Sequence, residues 1–305
     1  MKRFKQIILS NLELYEKFKK DFTYHSSAIE GSTITKADNG TIVSSFASAL
    51  ELEKKYPGYD KDEILENRNL GMIFDLMVKY YNEPLTTEML KVWQDTLKSD
   101  TNWAIKYPNA VGKYRTTNVI VGSDENFARS FEFIPTDMKN FIDDINYIKD
   151  LTLDDICKFH CRFEKIHPFQ DGNGRIGRLI MLKQCLQTDI IPFFINSATR
   201  EEYINCMRLY NRTELSSFLK EYCLKQQKIF IQNYSEYLNT DLNDNEQKII
   251  NFLSRRIFAN SREIGKILNL KKTATVQNIN VLILKNIVEK NDSGKNSVYS
   301  LKNKK

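Results

Sequence analysis

The sequence predicts a mainly α-helical protein, in which a helical bundle with a β-hairpin is followed by a winged helix-turn-helix domain. The first observation behind this prediction is an apolar repeat in LTLDDICKFHCRFEKI, where Ile156, Phe159, Phe163 and Ile166 recur at the spacing of one helix face. The second is that similar spacing recurs along most of the chain. The third is a C-terminal series of three helical segments that ends in two short β-type runs.

The N-terminal and central elements follow from local patterns. Helical spacing is found in ENRNLGMIFDLMVKYY, LTTEMLKVWQDTL, RLIMLKQCLQ, REEYINCMRLY and ELSSFLKEYCLKQQKIFIQNY. Thr152, with Asp155 three residues later, predicts a capping box at the start of another helix. Residues 112–135, GKYRTTNVIVGSDENFARSFEFIP, alternate in short β-type runs around a polar turn and predict a β-hairpin.

The C-terminal elements suggest a separate domain. NDNEQKIINFLSRR, SREIGKILNL and KTATVQNINVLILKN predict three helices, and IVEKNDSGKNSVYSLK predicts a closing pair of strands. The polar stretch NYSEYLNTDLNDNE is the best candidate for a linker. We therefore predict an N-terminal helical region over residues 1–80, a core over residues 81–232 and a winged-helix domain over residues 240–305.

Composition is that of an ordinary soluble protein, with 41% hydrophobic and 28% charged residues in 305. No apolar run approaches the roughly 20 residues needed to span a bilayer, and the basic N-terminus lacks the long apolar region of a signal peptide. The five cysteines are scattered through apolar stretches, a distribution typical of reduced thiols. We expect a cytoplasmic protein without a membrane partner.

The positive charge is concentrated at the C-terminus. Residues 241–305 contain 13 basic and 6 acidic residues, a net charge of +7, and the other 240 residues contain 32 and 33, a net charge of −1. Arg262, Lys271 and Lys272 lie near the predicted recognition helix, which carries the polar residues Thr273, Thr275, Gln277, Asn278 and Asn280. These features fit DNA binding, but winged helices also serve protein docking and dimerisation. Both interpretations, and a homodimer, remain open.

The segment HPFQDGNGRIGR, residues 167–178, carries the strongest chemical signal. A glycine-rich loop before a helix can turn backbone N–H groups toward an anion, and the helix start adds its positive dipole end. The groups predicted to hold a polyphosphate are the N–H groups of Gly172, Asn173 and Gly174 and the side chains of Arg175 and Arg178. The pattern GxGxxG also matches the dinucleotide-binding fingerprint. However, no strand is predicted before it, and the sequence predicts no βαβ unit.

Two side chains in this segment have further chemical roles. Neutral His167 can accept a proton from a hydroxyl at pH 7. Asp171, four residues later, can hold Mg²⁺ that bridges phosphate oxygens. Together with the anion site they predict nucleotidyl or phosphoryl transfer to a hydroxyl. A glycine-rich helix–helix turn with a capping histidine is the structural alternative.

The segment IHPFQDGNGRIGR resembles the core signature of the Fic family, HPFx[DE]GNGRxxR, at every defined position. The resemblance extends through FHCRFEKIHPF, GKYRTTNVIVG and IPFFINSATREEYINCMRLYN, and covers about residues 10–230. It implies the Fic fold, with the hairpin as a flap. It also implies transfer of AMP from ATP, with Mg²⁺ as cofactor, to a Ser, Thr or Tyr hydroxyl of a protein.

The resemblance also implies roles for individual residues. His167 would be the catalytic base and Asp171 the Mg²⁺ ligand. The groups implied to bind the ATP phosphates are Gly172, Asn173, Gly174, Arg175, Gly177 and Arg178, and those near the nucleoside are Tyr203 and Asn211. The last two are the weakest assignments, because a helical tyrosine is commonly a core residue. The target, either another protein or a second copy of this chain, would pair with the edge of the flap at residues 112–135.

A second motif, SSAIEGS at residues 26–32, resembles the Fic inhibitory motif [ST]xxxE[GN], with Ser26 and Glu30 in the defined places. Without the resemblance it is a polar helix end with Gly31 as a stop signal. A Glu30 carboxylate that pairs bidentately with Arg178 would take the charge that the γ-phosphate needs. We therefore predict a self-inhibited protein adenylyltransferase. The alternatives are removal of AMP or another nucleotidyl transfer at the same site, and a nucleotide-sensing DNA-binding regulator.

Overall fold

Helices dominate the computed structural model, which describes residues 8–9, 11–121, 127–188, 190–234, 242–253, 256, 258–284, 287–291 and 297–301. The chain divides into two units. One contains residues 11–226, and the other contains residues 227–305 together with residues 1–10.

The larger unit is a helical bundle. Its helices are α1 (Leu12–Ile29), α2 (Lys36–Ile42), α3 (Ala49–Lys55), α4 (Lys61–Lys79), α5 (Thr87–Lys98), α6 (Asn102–Lys106), α7 (Ile134–Tyr147), α8 (Leu153–Ile166), α9 (Asn173–Gln187) and α10 (Arg200–Thr213), and α11 (Ser217–Asn233) begins in it. Short 3₁₀ turns precede α7 and α10. The pairs α8 with α9, α4 with α5 and α1 with α4 pack together. The predicted mainly α-helical fold is confirmed.

The start and the buried face of α8 match the sequence pattern. The Asp155 N–H donates to Thr152 Oγ1 at 3.2 Å, and the Thr152 N–H donates to the Asp155 carboxylate at 2.8 Å. This is the predicted capping box, which satisfies two N–H groups at the helix start. The apolar stripe is buried, with Ile156 and Phe163 both 0% exposed. Burial of each such side chain contributes about 1.5–3 kcal/mol.

The predicted β-hairpin is not found in the part of residues 112–135 that the structure describes. Only Val121 is in a β-bridge there, and Phe131–Phe133 form a 3₁₀ turn that leads directly into α7. Its predicted turn falls partly on residues 122–126, which lie outside the described residues. The edge strand expected for target binding is therefore absent from the described part of this segment.

The sequence did carry a signal against the second strand. Pro135 lies in the first turn of α7, a position that proline favours. Buried apolar residues then follow at helical spacing, at Ile134, Met138, Phe141 and Ile145. The alternating pattern before Pro135 was too short to outweigh a helical face that continues for four turns.

The smaller unit contains the three predicted helices and the predicted closing pair of strands, together with a short strand between the first two helices, which was not predicted. They are α12 (Asp244–Leu253), β1 (Ala259–Asn260), α13 (Ser261–Leu268), α14 (Lys272–Leu284), β2 (Val288–Asn291) and β3 (Val298–Leu301). The strands form an antiparallel sheet in the order β1-β3-β2. The buried core includes Ile249, Ile264, Ile279 and Leu282. Of the predicted linker, residues 235–241 lie outside the described residues.

Cysteine usage agrees with expectation. All five cysteines are buried and free of disulfides, as predicted for core thiols. In the described part of the chain, no helix combines the length and the apolar character that a membrane crossing requires.

Candidate functional site

The loop between α8 and α9 has a backbone that brings the start of α9 into the site. His167 ends α8 in a left-handed conformation, with φ of 49°, and Gly172 has φ of 90°. Asn173 holds the loop closed, because its side chain accepts from the Phe169 N–H at 2.9 Å and donates to the Phe169 carbonyl at 2.8 Å. The Asn173 side chain therefore shapes the loop, and an anion at this position would bind to backbone N–H groups.

The three predicted backbone donors are not equivalent. The Gly172 N–H donates to Asp171 Oδ1 at 2.6 Å. The N–H groups of Asn173 and Gly174 belong to the first turn of α9, where N–H groups have no intrahelical acceptor. These two amides, rather than all three, can be offered to a phosphate without breaking a bond to Asp171.

Arg178 is held by both defined residues of the second motif. Its Nε donates to Ser26 Oγ at 2.9 Å, and its NH2 group donates to the Ser26 carbonyl at 2.8 Å and to Glu30 Oε1 at 2.7 Å. The guanidinium contacts only one Glu30 oxygen, so the expected bidentate pair is not formed. Ser26 provides the other two acceptors, which gives the serine of the motif a direct role.

The end of α1 explains why the Ser26 carbonyl is available. The Glu30 N–H bonds to the Ser27 carbonyl at 3.0 Å, and the Ser32 N–H bonds to the same oxygen at 3.1 Å. Gly31, with φ of 98°, permits this turn. Because the last turn tightens in this way, the Glu30 N–H does not bond to the Ser26 carbonyl, which accepts from Arg178 instead.

Electrostatics favour an ionised Glu30. Burial opposes ionisation, but the charges of Arg178 and Arg175 outweigh it and hold the pKa of Glu30 below its ordinary value. The Glu30 side chain is 38% exposed and that of Arg178 is 3% exposed. A Cβ added to Gly174 would overlap Glu30 Oε1, so the carboxylate lies directly over the start of α9, where an anion would bind.

A second group of charges surrounds Asp171. Arg175 NH1 pairs with Glu66 of α4, and Lys98 of α5 pairs with both Glu66 and Asp171. Arg175 NH2 lies 3.6 Å from Asp171 Oδ1. Burial alone would raise the pKa of Asp171, but the charges of Arg175 and Lys98 hold it below its ordinary value. Asp171 is therefore an ionised carboxylate.

His167, the predicted base, ends α8 at the start of the loop. Its Nδ1 lies 3.3 Å from the Glu164 carbonyl, and its own carbonyl accepts from Arg115 Nε at 2.8 Å. Burial lowers the pKa of His167 to about 4, and the Arg115 charge acts in the same direction. The imidazole is consequently neutral at pH 7, the state that can accept a proton.

A cavity of about 250 Å³ is lined by residues that include Glu30, His167, Gly174, Arg178 and Tyr203. Apolar side chains, including Phe127, Ile204 and Met207, line it as well. The mixture of apolar and polar lining residues is typical of small-molecule sites. The described residues that line this cavity do not include Asn211.

Tyr203 and Gly177 have clear packing roles. Tyr203 is 2% exposed, and its hydroxyl is hydrogen-bonded to His160 Nε2 at 2.7 Å. A Cβ added to Gly177 would lie 2.5 Å from Glu164 Oε1 and 3.1 Å from the His160 ring. Gly177 therefore allows α9 to approach α8, and its position gives no direct support for the predicted phosphate contact.

The sequence patterns did not identify four charged residues of the site. Glu66 and Lys98 are single charges on amphipathic helices, where a solvated face is the ordinary interpretation. Arg115 lies in the segment interpreted as a flap, and its N–H donates to the Pro168 carbonyl at 2.9 Å. Arg200 Nε donates to the Ile29 carbonyl at 2.7 Å. No local pattern distinguishes these residues, because their partners are distant in sequence.

The residues present fit a magnesium ion. Asp171 is 43% exposed, and Mg²⁺ commonly takes one or two carboxylates together with phosphate oxygens and water. Among the described residues, no group of three or more His, Cys, Asp and Glu side chains could hold a metal. The site therefore suits an ion brought with a phosphate substrate rather than one in a closed protein cage.

The chain is similar in sequence to curated protein adenylyltransferases. The protein adenylyltransferase fic-1 of Caenorhabditis elegans is 27% identical over 242 residues, which is 75% of this chain and 44% of that protein. The protein adenylyltransferase Fic of Drosophila grimshawi is 28% identical over 65% of this chain and 39% of its own length. The chain thus spans less than half the length of these relatives.

Solved structures share the fold. A Fic family protein from Desulfovibrio desulfuricans superposes with a TM-score of 0.58 at 19% identity, over 97% of this chain and 89% of that chain. Residues 134–508 of C. elegans Fic-1 superpose with a TM-score of 0.58 at 22% identity, over 75% of this chain and 64% of that chain. Residues 84–185, which contain the HPFQDGNGR loop, match the model of the Fic/DOC family.

Proposed function

We propose that this protein transfers AMP from ATP to a hydroxyl side chain of a protein and that Glu30 inhibits the transfer. The observation that supports this most is the juxtaposition of Glu30 and the start of α9, where Arg178 has a carboxylate partner in place of a phosphate. The similarity to protein adenylyltransferases supports the same chemistry.

Each site residue has a defined part in the proposed reaction. His167, neutral at pH 7, takes the proton of the attacking hydroxyl. The hydroxyl oxygen forms a bond to the α-phosphorus, and the bond to pyrophosphate breaks. Arg178, once released from Glu30, and Arg175 orient the β- and γ-phosphates and offset their charge. Asp171 would hold Mg²⁺, which would supply further charge stabilisation for the leaving pyrophosphate.

Intact-mass analysis tests the proposal. The Glu30→Gly variant, incubated with Mg²⁺ and each nucleoside triphosphate in turn, is expected to gain the mass of AMP with ATP, either on itself or on an added protein. Glu30→Gly combined with His167→Ala is the control and should gain none. Equal gain of AMP by wild type and Glu30→Gly would refute inhibition by Glu30, and absence of added AMP on both the chain and the added protein would refute the proposed transfer. Loss of AMP from a pre-labelled protein would identify the hydrolase instead.

We also propose that the smaller unit binds duplex DNA as a winged helix-turn-helix. Three helices followed by an antiparallel pair of strands support this proposal, as does Asn269, which forms a left-handed turn between α13 and α14 with φ of 51°. Gly265 allows close packing of these helices, since a Cβ there would lie 2.8 Å from Thr275 Oγ1. The turn and the close approach are typical of a helix-turn-helix.

Burial separates the polar residues of α14 into two groups. Thr275 and Asn278 are 0% and 2% exposed, and their side chains donate to the carbonyls of Lys271 and Ala274. These two cannot contact bases, contrary to one of the predictions. The exposed polar residues are Thr273, Gln277 and Asn280. Their spacing of four and three places them on one face of α14.

The exposed basic side chains near that face would contact DNA phosphates. Arg262, Lys271 and Lys272 are all exposed, and the region carries a net charge of +7. Fluorescence anisotropy with a labelled duplex of about 30 base pairs, at about 50 and 200 mM salt, should show binding that weakens as salt rises. Lys271→Glu with Lys272→Glu should abolish it, and Lys158→Glu, an exposed charge reversal on α8, should not. No binding at low salt would favour a protein-docking role.

A further inference from the structure

A buried lysine contacts the carboxylate that the proposed function assigns to the metal. Lys98, the last residue of α5, is 1% exposed, and its ammonium contacts the carboxylates of Glu66 and Asp171. The ammonium also lies 4.7 Å from the centre of the Trp103 ring. Since a buried ammonium is costly unless it is paired, the two carboxylates are what allow Lys98 to be charged at this position.

Both oxygens of Asp171 have partners in this arrangement. Oδ1 accepts from the Gly172 N–H at 2.6 Å and lies 3.6 Å from Arg175 NH2, and Oδ2 contacts the Lys98 ammonium. A divalent cation cannot take the place of Lys98 at Oδ2 while the ammonium remains there, because like charges at that separation repel strongly. The 43% exposure of the Asp171 side chain nevertheless leaves it reachable from solvent.

Glu66 gives Lys98 a second carboxylate. Its Oε1 contacts Lys98 and its Oε2 contacts Arg175. If Lys98 leaves Asp171, it retains an ionic partner in Glu66, so the buried ammonium is never left alone. Without Glu66, Asp171 would be the remaining carboxylate among these contacts, and Lys98 would hold it more firmly.

We propose that Lys98 occupies Asp171 as an internal cation until a divalent cation displaces it, and that Glu66 retains the ammonium when this happens. The inference rests on the assignment of Asp171 as the metal ligand under the proposed function. Lys98 and Glu66 are then positioning residues that set the metal affinity in opposite directions. Removal of Lys98 strengthens metal binding, whereas removal of the Glu66 charge weakens it.

Titration with Mn²⁺ alone, followed by the electron paramagnetic resonance signal of the free ion, tests this without any nucleotide or transfer reaction. Lys98→Met should bind Mn²⁺ about tenfold more tightly than wild type, and Glu66→Gln about tenfold more weakly, within the range found for coupled charges. Asp171→Asn in the Lys98→Met background should lose the tight site. If Asp171→Asn leaves it intact, the assignment of the ligand is wrong and the proposal fails.

The double variant separates this mechanism from a general charge effect. If Glu66 acts by retaining Lys98, Glu66→Gln should change Mn²⁺ affinity by less than about twofold in the Lys98→Met background, because the two effects are coupled. An equal loss with and without Lys98 would indicate simple electrostatics and overturn the proposal. Glu66→Gln is nearly isosteric, so an unchanged or tighter Mn²⁺ affinity in that variant would overturn the proposal even if Lys98→Met does not fold. A chain that transfers no AMP but shows these shifts would refute the proposed function alone.

Discussion

The Glu30–Arg178 pair allows a quantitative prediction of ATP affinity. In the Glu30→Gln variant the carboxylate charge is removed and the side-chain size is kept. The lost interaction is one hydrogen bond of 2.7 Å between charged groups. Such bonds contribute about 1.5–3 kcal/mol, and every 1.4 kcal/mol is tenfold in affinity. Arg178 keeps its two bonds to Ser26, so it should stay in place to receive a phosphate.

We therefore expect Glu30→Gln to bind ATP about 10- to 150-fold more tightly than wild type. Because the Glu30 side chain is 38% exposed, solvent screening places the expected value near the lower limit. Isothermal titration calorimetry with a non-hydrolysable ATP analogue and Mg²⁺ measures it. Glu63→Gln is the matched control, since Glu63 is an acid of α4 that accepts from the Thr33 N–H at 2.9 Å. Affinities within twofold for wild type and Glu30→Gln would refute the reasoning.

Two further predictions concern catalysis and stability. Because burial lowers the pKa of His167 to about 4, the base stays neutral as pH falls, and AMP transfer by Glu30→Gly should be constant from about pH 7.5 to 5.5 and decline only below that. Burial raises the pKa of Glu164 to about 8, so this carboxyl group stays mostly protonated over the same pH range. Initial rates of AMP transfer that fall by half near pH 6.5 would contradict the prediction. Gly177→Ala should lower stability by about 1–3 kcal/mol through overpacking against Glu164. Thermal melting against Gly58→Ala, whose added Cβ meets no atom within 4 Å, checks this, and equal shifts would count against it.

The loop proposed to be catalytic and the motif proposed to inhibit it are recognisable in the amino-acid sequence alone. Their functional residues lie close together along the chain, from His167 to Arg178 and from Ser26 to Glu30, so their spacing specifies which groups meet an anion. The α8 capping box was predictable for the same reason, because a helix start depends on residues three apart. Local chemistry of this kind requires no knowledge of which helices pack together.

Other features were decided only when distant segments met. Glu66 and Lys98 lie 109 and 73 residues from their partners Arg175 and Asp171, so their sequence pattern is indistinguishable from that of solvated surface charges. Thr275 and Asn278 looked equivalent to their exposed neighbours until helix packing buried them. The sequence by itself determined which groups are proposed to carry out the chemistry. Tertiary packing determined how their charges are paired at rest, because ion pairing depends on distances in space rather than along the chain.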